Sequence, residues 1–280
     1  MLLEFDKLSA NGNDFILIDN RQARFDGSEH DLFRSLCQRR TGIGADGLLL
    51  IEKHASADFS MRYFNADGYE ADMCGNGARA SAWWARRQGL SSDDIVRFRV
   101  RDVSYQARCH GSRVSLLMHP PEMLSYTPGP AESHGVAGGY ALTVGVPHYV
   151  VFDDDPDTGR IATVGASLCV DKAFPRGTNV NFVSRSRTGD RVLLRTWERG
   201  VNAETLSCGT GCLATAWVLH QHFGTPFPVE ITTRGGVLTV DIDPGSGRPV
   251  LTGTVQHVFH GQLDTASALA AHEDHQTECP

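Results

Sequence analysis

The sequence predicts an α/β (α+β) protein built as two pseudo-symmetric halves. Three observations predict it. Strand-like and helix-like apolar segments run through the chain in two series of the same order. A Cys-Gly-x-Gly motif occurs once in each series, at Cys74 and Cys208, 134 residues apart, each with a glutamate four positions earlier and a run of small residues after it. Between the series lies a Pro- and Gly-rich stretch, residues 119–139, suited to a crossover. The expected halves are residues 1–118 and 119–263, and 264–280 is an appendage that is a candidate to pack back on the first half.

Each element follows from local pattern. In the first series "DFILID" (14–19) is an apolar run of strand length, and "EHDLFRSLCQRR" (29–40) has helical spacing of Leu32, Phe33 and Leu36. "GLLLIEK" (47–53) and "FSMRYFN" (59–65) are strands, "GARASAWWARRQG" (77–89) is a helix closed by Gly89, and "IVRFRVRDVSYQARCHGSRVSLLM" (95–118) holds paired strands. The second series repeats this: strand "HYVVFDD" (148–154), helix "IATVGASLCV" (161–170), strands "TNVNFVSR" (178–185) and "RVLLRTWE" (191–198). Helix "CLATAWVLHQHFG" (212–224) follows, then strands in "PVEITTRGGVLTVDID" (228–243) and "PVLTGTVQHVFHGQL" (249–263).

Composition bounds the function. With 280 residues, 41% hydrophobic and 21% charged, the chain can bury a sizeable core. It has no apolar run near the roughly 18 to 20 residues of a membrane span, and acidic residues stand where a secretory signal would be basic. A cytoplasmic location is expected. The net charge of −7 without a basic block argues against nucleic acid and for a small-molecule partner. Seven cysteines show no zinc-ligand spacing, so no metal is expected, and their odd number suits a reducing compartment. Cys37, Cys109 and Cys169 read as small core residues.

The two thiol loops are different. Each follows a strand and sits at the first turn of a helix, where unpaired backbone N–H groups and the positive end of the macrodipole bind anions and favour thiolate. A glycine after the thiol lets a ligand approach the backbone. Two such thiols on opposite faces of one carbon suit stereoinversion next to a carboxylate, one removing a proton while the other delivers one. A single proton then belongs to the pair.

The ordered motifs "NGNDF", "YFNADG", "CGNGARA", "GVPH", "NVNF", "WERG" and "ETLSCGTG" resemble those of the diaminopimelate epimerase family, pyridoxal-phosphate-independent amino-acid epimerases, over about residues 1–263. The resemblance implies two α/β halves, each a curved, mostly antiparallel sheet wrapped around a central helix, with the active site in the cleft between them. It implies cofactor-independent interconversion of LL- and meso-diaminopimelate in lysine and peptidoglycan precursor synthesis. Cys74 and Cys208 would be the proton carriers, and Gly75, Asn76, Gly209 and Thr210 would meet the reacting carboxylate. Asn13, Asn65 and Asn179 match substrate-contacting positions. Arg199 would hold the distal carboxylate, Glu198 an ammonium, and Glu198 and His148 would bias thiol protonation. No cofactor is expected. Oligomeric state is left open, with a homodimer as the candidate.

Two departures stand out: some family members carry glutamine at Gly47 and asparagine at Val146. Other readings weigh less. "GIGADG" (42–47) has dinucleotide-loop spacing but follows a helix and opens a strand, the reverse of the required order. Lys7, Lys53 and Lys172 offer no persuasive Schiff-base site. A cysteine hydrolase using Cys208 and His148 leaves Cys74 without a task, a plain amino-acid-binding module leaves both thiols without one, and a racemase of another amino acid, such as histidine or a hydroxyproline, is the nearer alternative.

Overall fold

A computed structural model describes residues 2–136, 138–153, 160–186 and 191–266. One compact unit runs to Leu116 and resumes at Thr254; the other is Leu117–Gly253.

The first unit opens with β1 (Leu2–Ala10) and β2 (Asn13–Asp19), an antiparallel hairpin with Ala10 opposite Asn13. Its two-residue turn is Asn11-Gly12, both at positive φ (51° and 80°). Asn-Gly is the pair that takes such a turn at least cost. Helix α1 (His30–Cys37) crosses to β3 (Gly47–Glu52), which lies parallel to β2, and β4 (Phe59–Asn65) returns antiparallel to β3. The short β5 (Glu70–Ala71) pairs with β4 and leads into α2 (Gly75–Arg87). Then β6 (Ile95–Val100) runs parallel to β4, followed by β7 (Val103–His110) and β8 (Arg113–Leu117).

The second unit adds β9 (Glu122–Tyr126) and α3 (Pro128–Glu132), then repeats the pairing order. Here β10 (Gly139–Val144) and β11 (Val146–Phe152) form the hairpin, and α4 (Arg160–Cys169) crosses to β12 (Asn179–Arg185), parallel to β11. Next, β13 (Val192–Glu198) is antiparallel to β12, β14 (Ala203–Thr205) pairs with β13, and α5 (Gly209–Phe223) follows. Finally β15 (Val229–Thr233) runs parallel to β13, β16 (Gly236–Ile242) turns back on it, and β17 (Pro249–Asp264) pairs with β16 and, farther along, with β1. The mixed α/β duplication expected from the sequence is borne out strand pair by strand pair.

Continuous apolar strands are covered on both faces. In the first unit Ile16, Ile18, Leu48, Leu50 and Phe64 pack with Leu32, Phe33 and Leu36 of α1. The alternate residues turn the other way: Phe15 and Leu49 lie against Gly77 of α2. Helix α2 is buried from Gly75 to Ala85 and touches β1, β2, β3, β4, β6 and β7. Its small residues allow that enclosure. In the second unit α4 packs Ile161, Leu168 and Cys169 on Tyr149, Val151, Val180 and Phe182, while α5 touches β10, β11, β12, β15 and β16. Helix α5 stops at Gly224, in the left-handed region with φ 66°.

The structure adds strands that the sequence reading did not name, β1 and β9 among them. The stretch 119–139, expected as a turn-rich crossover, carries β9 and α3 and begins β10, because β9 finds backbone partners on β10 with Tyr126 opposite Tyr140. The paired strands expected over 95–118 are β6, β7 and β8. The 264–280 appendage lies outside the described residues beyond Ala266.

Candidate active site

In the first unit Cys74 is the N-cap of α2, with extended φ/ψ of −110°/116°, and its sulfur accepts the Gly77 N–H at 3.4 Å. The thiol takes the role that Ser or Asp usually plays at a helix start. A chain of polar groups surrounds it. Asp46 can only accept, so the Asn13 amide turns its nitrogen to Asp46 Oδ2 at 2.7 Å. Asn13 Oδ1 therefore faces inward, accepting Asn76 Nδ2 at 3.3 Å and the Cys74 thiol at 3.8 Å. Arg79 can only donate, and its bond of 2.6 Å to Asn76 Oδ1 sets the second amide in the same way. Arg79 is fully buried and also donates to Asn11 Oδ1 at 2.8 Å, so it ties the Asn11-Gly12 turn to α2. Asn13, Cys74 and Asn76 are thus brought together, with Gly75 buried beside them.

Asn65 ends β4 directly across from Gly47. A Cβ on Gly47 would lie 2.6 Å from Tyr63 Cε2, 2.6 Å from the Phe64 carbonyl oxygen and 3.1 Å from the Tyr63 hydroxyl. Here the Tyr63 ring and the Phe64 carbonyl fill the space that a side chain at 47 would need.

In the second unit Cys208 is the N-cap of α5 at −115°/107°, the counterpart of Cys74 in conformation and in place within the repeat. Its sulfur lies 3.5 Å from the Thr210 hydroxyl. Burial, and next the Glu198 carboxylate, push this thiol well above its ordinary range, against the Thr210 hydroxyl and the Gly211 N–H. The helix start was expected to favour thiolate. At Cys208 burial and a neighbouring negative charge outweigh it. Glu198 accepts the Thr205 hydroxyl at 2.9 Å.

His148 stands opposite Asn179 in the β11/β12 pair, and Asn179 Oδ1 accepts the Arg199 N–H at 2.8 Å. The Arg199 guanidinium donates to the Arg176 carbonyl at 2.9 Å; among the described residues no carboxylate pairs with it, not even the adjacent Glu198. His148 is buried, and desolvation, then the Arg199 charge, lowers its pKa to about 3. It is neutral across the physiological range.

Residues the sequence reading passed over hold these parts in place. Arg62 of β4 donates twice to one oxygen of Glu70, Oε2, at 2.6 and 3.2 Å; Arg195 of β13 forks both oxygens of Glu204 with two bonds of 2.5 Å. Both clamps close the hairpin that leads into a Cys-Gly-x-Gly turn. The repeated glutamate four positions before each cysteine was the visible signal; its arginine partner, on the previous strand, was not. Among the described residues no three His, Cys, Asp or Glu side chains are arranged for a metal, and no helix is long and apolar enough to cross a membrane.

A model of the diaminopimelate epimerase family matches residues 5–123 and again 140–258. The chain belongs to this family. The double match falls on the two repeats. A diaminopimelate epimerase of Chlorobaculum tepidum is 42% identical over 91% of this chain and 99% of its own length, and one of Aquifex aeolicus is 36% identical over 93% and 98%. One of Archaeoglobus fulgidus is 35% identical over 94% and 97%. Among solved structures, a phenazine biosynthesis protein of the PhzF family from Bacillus anthracis superposes with TM-score 0.72 at 14% identity, covering 94% of this chain and 99% of that one. A hydroxyproline epimerase from Agrobacterium vitis gives 0.66 at 16% identity, covering 97% and 98%. At those identities the likeness is one of fold.

Proposed function

We propose that this chain epimerises LL-2,6-diaminopimelate to meso-diaminopimelate, moving the α-proton by way of two thiols, Cys74 and Cys208. The observation that carries the reading is the matched place of the two sulfurs, each the N-cap of the enclosed helix of its repeat, in a family named for this epimerisation.

The chemistry uses only groups of the chain. One sulfur, as thiolate, takes the α-proton and becomes a thiol, leaving a carbanion whose charge spreads into the carboxylate. The other sulfur, as thiol, gives its proton to the opposite face and becomes a thiolate. One proton has left the substrate and one has entered it, and the pair is left in the protonation state that runs the reaction backwards. Cys208, held protonated by burial and Glu198, is the resting acid, which makes Cys74 the first base. Amides of Gly75, Asn76, Gly209 and Thr210 meet the charge growing on the carboxylate. Arg199, with no carboxylate partner among the described residues, takes the distal carboxylate through its planar fork. Asn13, Asn65 and Asn179 orient the two amino-acid ends, with Glu198 on an ammonium. Two free thiols suit a reducing compartment, and the reading takes that to be the cytoplasm.

The test replaces each sulfur. Cys74→Ser and Cys208→Ser should each lower kcat by about 10² to 10⁴, the range of one acid or base, with diaminopimelate still bound. A Cys74→Ser enzyme turning over at the wild-type rate would overturn the reading, as would wild-type enzyme that leaves diaminopimelate untouched and inverts histidine instead.

A further inference from the structure

Asn181 lies inside the second unit on β12, fully buried, between three groups. Its side chain is 3.4 Å from the Tyr149 carbonyl oxygen, 3.1 Å from His148 Nδ1 and 3.0 Å from the Thr196 hydroxyl. A backbone carbonyl only accepts, so the amide atom beside Tyr149 is the nitrogen. That same nitrogen faces His148 Nδ1, which must then be the bare, accepting ring nitrogen. The Thr196 hydroxyl donates to the amide oxygen and holds the orientation from the other side. The imidazole proton is thereby left on Nε2, and Nε2 is buried with no hydrogen-bond partner among the described residues. A buried donor without an acceptor is costly, a cost that an arriving anion would remove.

The same residues touch the thiol turn. A Cβ on Gly211, in the first turn of α5, would lie 2.4 Å from Asn181 Oδ1, 3.3 Å from Thr196 Oγ1 and 3.3 Å from Cys208 Cβ. Arg199 is the charged group whose field reaches the imidazole, and it favours the neutral ring.

We propose that Asn181, braced by Thr196, is a positioning residue that locks His148 as the neutral Nε2–H tautomer, so that His148 serves as an uncharged donor to an anion beside Cys208. The anion is either the carboxylate of the bound amino acid or the Cys208 thiolate. The locked tautomer stands on the hydrogen bonds alone; its effect on turnover rests on Cys208 as a proton carrier.

Nitrogen-15 NMR of histidine-labelled enzyme reads the tautomer directly, since a bare ring nitrogen and a protonated one resonate far apart. In the wild type His148 should show a bare Nδ1 and a protonated Nε2. Asn181→Asp puts an acceptor against Nδ1 and should draw a proton there; kcat should fall about tenfold, the size of one hydrogen bond to a charged group. Thr196→Val frees the amide to turn and should give a mixture of tautomers, and it serves as the second variant if the aspartate enzyme does not fold. Asn181→Gln, which keeps an amide donor, should restore part of the wild-type signal and rate. Saturating diaminopimelate should shift the Nε2 proton: a shift that persists in Cys208→Ala assigns the acceptor to the substrate carboxylate, and one lost there assigns it to the thiolate. A wild-type proton on Nδ1, or an Nε2 proton indifferent to diaminopimelate, would overturn the proposal. If the tautomer is as stated but both Cys→Ser enzymes stay active, the two-thiol mechanism fails and the lock stands.

Discussion

At Cys208 three influences compete. Burial and the Glu198 carboxylate hold the proton on; the Thr210 hydroxyl and Gly211 N–H favour its loss, and the first two win. A raised thiol pKa means less thiolate at neutral pH and a reaction rate that keeps climbing beyond the ordinary thiol range as pH rises. Iodoacetamide on the ligand-free enzyme at pH 7.5 should therefore label Cys74, which is partly exposed, before Cys208, and Cys208 labelling should still be accelerating above pH 9. Cys37 and Cys109, buried and pushed up to about 12 and about 11, should stay unlabelled under the same conditions. Peptide mass mapping over time reads this order, and Cys208 labelled first at pH 7.5 would contradict it. The cysteines themselves were legible in the sequence because two matched copies of a glycine-rich turn are visible in one chain. The protonation of His148 was not. It follows from burial and from Arg199, and the tautomer that we propose rests on Asn181, 33 positions away on a neighbouring strand; nothing in "GVPH" or "NVNF" says which nitrogen faces which.

Between residues and the whole stand the two hairpins, β4–β5 and β13–β14, that deliver the thiol turns. Each is closed by an arginine and a glutamate, and the Arg195–Glu204 pair is the drier, with side chains 11% and 18% exposed. Removing one partner of a largely buried pair leaves a charge without compensation. Glu204→Gln should cost about 2 kcal/mol of stability, the size of hydrogen bonds to a charged group, and lower kcat more than it raises KM, because it loosens the approach to Cys208 rather than the substrate's own contacts; urea unfolding and steady-state kinetics check both parts. An unchanged kcat would show that the clamp has no part in aiming the thiol. The strands legible from sequence were those whose apolar runs are buried on both faces, such as "FILI" and "LLLI". Two others escaped. β9 has no buried alternation, since Met123 and Tyr126 are exposed, and β1 carries Glu4, Asp6 and Lys7 among its apolar residues, with Lys7 buried against Asp14 at 2.7 Å.

Across the whole molecule the repeat is what makes the chemistry readable. The hairpin, crossover helix, parallel strand, antiparallel return and enclosed helix occur twice in the same order, and the family model matches once on each copy. A duplication places equivalent groups in equivalent settings, and it left Cys74 and Cys208 alike in backbone conformation, while Cys208 is the more deeply buried of the two and has Glu198 raising its pKa. Symmetric placement with unequal surroundings is what an acid and a base working on opposite faces of one carbon require. The most direct test is proton NMR of LL-diaminopimelate with reduced enzyme in deuterated water, sampled during the first few per cent of conversion. Two thiols predict meso product carrying deuterium at the inverted carbon, taken from the exchanged thiol, while the remaining LL substrate keeps its α-proton. Product that retains the original proton, or LL substrate that exchanges before it inverts, would mean that one base serves both faces, and would contradict the account.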